Sequence, residues 1–341
     1  MHAASGPHAM PASSVPRAMS AVSLTAKPSR LPGLFIATVA LVFVLIVWGG
    51  IVRLTGSGLS IPDWPLAEGG RLLPPPGTRA MIEFTHRVLA MAVGLATLGL
   101  AVAVYSKARY RAALGWPMAI ALVVLALQIV MGGRVVLEEL GVQRVVAHLL
   151  LAFFFFAILL RMTLKAQDVA RAEVASALAG APDAGQAAVA GVNGAHLDVR
   201  RVKGLRAMSH AAAGLVFLQA GLGAWVSSSG ASLACPDFPT CHGTLFPRME
   251  GLVGIHYAHR LGAYLIFAVV LALSIRAVSV PLPPRARWPL RLAGVLVALQ
   301  ILLGVANVVL AVPLAVSAGH LATALALFGT LLVSNHELAR N

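Results

Sequence analysis

The chain has 341 residues, of which 59% are hydrophobic and only 11% charged. Soluble domains carry about 25% charged residues, so a water-soluble enzyme is excluded, as is intrinsic disorder. Two cysteines are too few for a disulfide scaffold, and a net charge of +14 need not mean a nucleic-acid partner, because membrane proteins gather Lys and Arg in their cytoplasmic loops.

A helix needs about 20 apolar residues to cross the hydrocarbon core. Eight such runs follow one another, at residues 33–52, 82–104, 114–135, 144–164, 206–227, 252–275, 290–312 and 315–334. They are continuous rather than alternating, which argues against a transmembrane β-barrel. The first is too long for a signal-peptide core and is read as a retained span. Basic residues concentrate before span 1 (Arg17, Lys27, Arg30) and between spans 2 and 3 (Lys107, Arg109, Arg111). Others surround the 4–5 connection (Arg200, Arg201, Lys203) and the 6–7 connection (Arg285, Arg287, Arg291). The positive-inside rule puts these connections and both termini in the cytoplasm of a multi-pass cell (inner) membrane protein. Topology then accounts for the charge, and no nucleic-acid partner is expected.

The two halves repeat each other. Residues 49–65 read GGIVRLTGSGLSIPDWP and residues 223–239 read GAWVSSSGASLACPDFP, identical at seven of 17 positions. His86 in EFTHR falls opposite His259 in HYAHR, and QIVMG from Gln128 matches QILLG from Gln300. His148 and His320 each follow their Gln by 20 residues. The expected fold is an all-α membrane protein of eight transmembrane helices, arranged as two tandem, pseudo-symmetric four-helix bundles. The expected divisions are a cytoplasmic tail at 1–32, an N-terminal bundle at 33–165 and an Ala/Gly-rich cytoplasmic linker at 166–204. A C-terminal bundle at 205–335 and a tail at 336–341 follow.

His86, His148, His259 and His320 each open an even-numbered span, so two imidazoles in each half stand at similar depth. A single such His often makes only an interhelical hydrogen bond. A pair that recurs in both halves points instead to bis-histidine haem ligation across a bundle. Zinc fits less well, because it wants three or four ligands. Arg87 and Arg260, directly after two of the histidines, and Arg53 in the first loop motif are cations that could pair with haem propionates, snorkel or act at one remove.

The halves differ three residues before the first histidine, where Glu83 stands in one and His256 in the other. An i, i+3 spacing puts both side chains on the face of the ligand. Glu83 is either an interfacial carboxylate paired with Arg79 or Arg87, or the acid–base or cation-stabilising group of a reactive N-terminal half. His256 could replace a ligand or contact a propionate.

Cys235 and Cys241 flank PDFPT in loop 5, on the side where disulfides are permitted, and could form a structural staple or a redox pair. Loop 1 has Ile61 where the repeat has Cys235. The Pro-Asp-aromatic-Pro shared by loops 1 and 5 is expected to shape a cap over each site. The phenylalanines at 153–156 are expected to face lipid or haem, and Gln128 and Gln300 to bond between helices.

GGIVRLTGSGLSIPDWP, EFTHR, CPDFPTC, HYAHR and SAGH together resemble the haem A synthase family over all eight spans. The resemblance implies oxidation of the C8 methyl group of haem O to a formyl group, giving haem A for terminal oxidases. It implies haem b held by His259 and His320, haem O as substrate near His86 and His148, and Glu83 as the functional glutamate. The partners would be a haem O synthase that delivers substrate, an electron acceptor and membrane lipid, with a homo-oligomer also compatible. A dihaem cytochrome b that relays electrons from quinol shares the histidines without needing Glu83. A transporter built from parallel repeats would bind no haem.

Overall fold

In a computed structural model the described residues are 29–61, 73–137, 141–179 and 199–340. They form eight long helices and no strand ladder. In chain order these are α1 (Leu31–Leu54), α2 (Arg79–Ser106), α3 (Ala108–Leu137), α4 (Val142–Ala179), α5 (Val199–Ser228), α6 (Gly251–Val278), α7 (Pro284–Val309) and α8 (Leu314–Ala339). Each is long and apolar enough to cross a membrane. Large apolar side chains exposed along the outer helices, such as Leu95, Val102, Val123 and Val295, suit contact with lipid. The protein is an all-helical, multi-pass membrane protein.

Local chemistry sets the helix starts. Thr78 caps α2 by accepting the Met81 N–H at 3.2 Å. Pro283 and Pro284 open α7, and Pro313 precedes α8. α7 ends at Val309, three residues short of the apolar run. Ala311 and Val312 then turn with φ of 56° and 61°, a left-handed conformation that is costly for a β-branched residue. This tight turn brings Ser317 of α8 to within 2.6 Å of Asn307 of α7. α4 continues as helix to Ala179, well past its apolar stretch. Its 38 residues span roughly 57 Å, more than a hydrocarbon core of about 30 Å. The overhang carries Asp168, which pairs with His336 at 3.0 Å and Arg340 at 3.1 Å near the end of α8. The linker expected at 166–204 is thus helical at both ends, and its middle, 180–198, lies outside the described residues.

Within each half, consecutive helices pack on one another and the first packs on the fourth. The halves meet through α1 and α4 of one and α5 and α8 of the other. Of the phenylalanines at 153–156, only Phe154 is exposed. Phe153 packs on Phe328 of α8, with ring centres 5.6 Å apart, and Phe217 of α5 meets the same ring at 6.1 Å. The run therefore joins the halves, with one ring left for lipid. Small residues bring the backbones together: a Cβ on Gly50 of α1 would meet Leu321 of α8 at 2.5 Å, and one on Gly221 of α5 would meet Leu150 of α4 at 3.1 Å. Phe153→Ala should cost about 3–5 kcal/mol, read as a lowered midpoint in thermal unfolding of the detergent-solubilised protein. Phe154→Ala should cost far less.

Candidate functional site

The same arrangement occurs four times. A glycine near the end of an odd-numbered helix faces a histidine near the start of the next helix. Carbon Cε1 of His86 lies 3.1 Å from where a Cβ on Gly49 would stand, and that of His148 lies 3.2 Å from the same point on Gly132. For His259 over Gly223 and His320 over Gly304 the distances are 3.0 and 3.3 Å. Any larger residue would push the ring away, so these glycines fix where the imidazoles sit. Trp48 tightens the first hairpin by donating its Nε1–H to the Ile82 carbonyl at 3.0 Å.

In the C-terminal half the two histidines oppose each other. The ring centres of His259 and His320 are 6.5 Å apart, with the planes steeply inclined. Two metal–imidazole bonds of about 2 Å on opposite sides of one iron, plus the nitrogen-to-centre distances, come to roughly 6 Å. That spacing fits an iron porphyrin that His259 and His320 would hold between them. Between these two histidines lies a mostly apolar cavity that His256, Arg260 and Phe238 also line. Among the described residues no group of three or more His, Cys, Asp or Glu could hold a metal ion.

Arg53 reaches this cavity from α1, in the other half of the chain, and its Nη1 is buried without a hydrogen-bond partner. Arg87 and Arg260 do equivalent work in the two halves. Arg87 Nη2 donates to the Ile61 carbonyl at 2.9 Å, and Arg260 Nη2 donates to the Cys235 carbonyl at 2.7 Å. Ile61 and Cys235 are repeat partners, so each arginine ties the loop before its helix to the helix carrying His86 or His259. Arg260 also donates to the Thr240 carbonyl at 2.8 Å.

Glu83 is buried, and both of its oxygens are engaged. Oε2 accepts the Ile61 N–H at 2.9 Å, and Oε1 accepts from Arg87 at 2.6 Å. The Arg87 partnership weighed from sequence is present, one turn from His86. In the other half His256 Nδ1 lies 2.9 Å from the Ala231 carbonyl, in a 3-10 turn at Ala231–Leu233. His256 anchors the loop while remaining at the cavity wall.

Loop 5 is a closed unit. Cys235 and Cys241 form a disulfide and are fully buried. The Asp237 carboxylate accepts from the Thr240 hydroxyl, from the His242 N–H at 2.7 Å and from the Gly243 N–H at 3.0 Å. Tyr257 donates its hydroxyl to the Leu245 carbonyl, and Arg260 lies over the Phe238 ring at 5.8 Å. The corresponding loop 1 stretch, 62–65, lies outside the described residues.

Sequence reasoning paired Gln128 and Gln300 across helices without naming their target. Each reaches the histidine that opens the following helix, with Gln128 Nε2 at 3.3 Å from His148 Nε2 and Gln300 Nε2 at 3.2 Å from His320 Nε2. Gln219 was missed. Its amide nitrogen lies 3.0 Å from His259 Nδ1 and donates to the His259 carbonyl at 2.6 Å. The signal was the Gln-x-x-x-Gly spacing, which Gln219 and Gly223 share with the other two pairs.

The chain matches the COX15-CtaA family model, described as cytochrome oxidase assembly protein, over residues 33–332. The protein belongs to this family. Curated relatives named "Heme A synthase" cover most of its length. That of Nitrosospira multiformis is 28% identical, over 88% of this chain and 91% of its own. That of Rhizorhabdus wittichii is also 28% identical, over 92% and 95%. That of Symbiobacterium thermophilum is 32% identical, over 70% and 72%.

The hydrogen bonds from Thr240, Gly243 and His242 hold the Asp237 carboxyl down to about 2, against about 3.9 in an unfolded chain. A lowered folded-state value means that this stabilisation is complete above about pH 4 and is lost as the pH falls toward about 2. The Gly243 amide, followed by NMR, should keep one chemical shift above about pH 5 and move only in acid. Asp237→Asn should abolish that movement.

Proposed function

We propose that the protein is a haem A synthase, oxidising the C8 methyl group of haem O to a formyl group in its N-terminal half while its C-terminal half holds a resident haem b. The 6.5 Å opposition of His259 and His320 across an apolar cavity carries the resident-haem part of this reading. Repetition of the His-over-Gly arrangement at His86 and His148, with Glu83 in place of His256, carries the substrate part.

The fit to haem b is chemical as well as geometric. The donor pair is two imidazoles, the wall is apolar, and Arg53 turns a buried, unpartnered Nη1 toward the same cavity. His259 and His320 would hold the haem b iron, and Arg53 would meet a propionate. Arg53 lies on the N-terminal half, so it would couple the halves electrostatically. When bound, haem b supplies a one-electron redox centre for a conversion that removes four electrons overall.

In the N-terminal half the chain's residues position and polarise. His86 and His148 hold the iron of haem O, and the surrounding helices exclude bulk water. Glu83, buried and fixed by the Ile61 N–H and Arg87, puts a negative charge one turn from His86. There it stabilises positive charge developing at the methyl carbon in the transition state. Arg87 keeps that carboxylate and the loop 1 backbone in one geometry, as Arg260 does for loop 5. The buried Cys235–Cys241 disulfide acts as a staple for the cap over the resident haem.

This reading places the protein in the cell membrane with both termini cytoplasmic and the four histidines toward the outer face. A haem O synthase would supply the substrate, and a separate acceptor would take the electrons. In this reading the substrate half and the resident-haem half are the bundles expected at 33–165 and 205–335.

Pigments extracted from cells that make haem O and express the protein should contain a formyl-bearing haem, identified by mass. Glu83→Gln should retain the b-type spectrum while haem A formation falls at least 100-fold, the loss typical of removing one preorganised electrostatic group. Haem B alone from the unaltered protein would favour the dihaem electron carrier. Full conversion by Glu83→Gln would remove Glu83 from the reaction.

A further inference from the structure

Three of the four hairpins share a device that the first lacks. Gln128, Gln219 and Gln300 each stand four residues before the glycine that cradles the next helix's histidine, and each places its carboxamide on that imidazole at 3.0–3.3 Å. The carboxamide nitrogen faces the ring in all three, and in Gln128 and Gln219 it also donates to the histidine's own backbone carbonyl, at 3.1 and 2.6 Å, which fixes the carboxamide against the ring. In the first hairpin Gly49 cradles His86 in the same manner, but the residue four before it is Leu45. Leu45 is half-buried and packs against the apolar core. Among the described residues the His86 ring has no glutamine on either nitrogen; Nδ1 is buried and unpartnered in His86, as it is in His148 and His320, but those two rings are held through Nε2.

We propose that Leu45 makes His86 the releasable ligand of the substrate haem, leaving its ring unpinned while Gln128 holds His148 in place. This rests on the functional reading above and adds to it the way substrate and product are exchanged. Hydrogen bonds to a metal-ligating imidazole fix its orientation, and losing one typically weakens metal binding 10- to 100-fold. Both ligands of the C-terminal half are held by a glutamine, as suits a cofactor that stays. The N-terminal half must bind haem O and let haem A go, and only one of its two ligands is held. The break falls in the half that contains Glu83, and on the histidine one turn from it. His148, held by Gln128, would keep its place while haem A leaves past His86.

Leu and Gln are similar in length, so Leu45→Gln can complete the missing contact with little repacking. The test uses the full-length protein loaded with haem O and mixed with excess apomyoglobin as haem acceptor. Two phases of haem transfer are expected, a fast one from the N-terminal half and a slow one from the C-terminal half. Leu45→Gln should slow the fast phase about 10-fold or more and shift the low-spin EPR signal of that haem alone. Leu45→Met, a change of shape without a hydrogen bond, should leave both phases as they were. Gln300→Leu should quicken the slow phase. If two haems bind and the fast phase is indifferent to Gln at position 45, in a protein whose slow phase and C-terminal EPR signal are intact, the proposal is overturned. A preparation that takes up no haem overturns the functional reading itself, and this proposal with it.

Discussion

The close approach of an imidazole to a glycine on the neighbouring helix is the contact on which the rest of this structure depends. It occurs in all four hairpins, with ring carbons 3.0–3.3 Å from the position of a missing Cβ. In a membrane, helices gain little from hydrophobic association with one another, so small residues and polar contacts decide how they pack. Here both act at one place. Glycine lets the helices close, and histidine fills the gap with a ring that has a coordinating nitrogen to offer. Pairing two such hairpins sets His259 and His320 opposite each other, with ring centres 6.5 Å apart.

Duplication then supplies two histidine pairs from one plan, and a few substitutions set the halves apart. Glu83 against His256 decides which half carries a buried carboxylate. Leu45 against Gln219 decides which half has a histidine without a glutamine on its ring. Ile61 against Cys235 decides which loop is closed by a disulfide. The arginine clasp is unchanged between them, because Arg87 and Arg260 each bind the backbone carbonyl at the same repeat position. The scaffold is symmetric, and the chemistry lies in where that symmetry is broken.

Much of this was legible in the sequence because its signals are strong and local. Long uncharged runs can only be membrane helices, and four histidines in register across a repeat restrict the chemistry severely. The Glu83–His256 difference was equally visible. The helix ends were less so. Residues past Lys165 in α4 carry charges that end a hydropathy run, yet the helix persists because Asp168 finds His336 and Arg340 on α8. The early end of α7 was hidden as well, because Ala311 and Val312 are apolar and carry no turn signature. The phenylalanines at 153–156 could not be assigned to lipid or core without knowing that α4 faces α8. Gln219 escaped notice because its repeat partner is Leu45, so comparing the halves showed no match. Only comparing hairpins within a half reveals its role. Arg53 points into the opposite half's cavity, a relation that no comparison of the halves contains.

The central claim is that each half clasps one iron porphyrin between two imidazoles from different helices. It is tested most directly by near-infrared magnetic circular dichroism of the purified, haem-loaded protein and its histidine variants. The account predicts bis-imidazole ligation at two centres, with His259→Ala and His320→Ala each removing the same one. It would be contradicted if those two substitutions removed different centres, or if the unaltered protein showed no bis-imidazole haem.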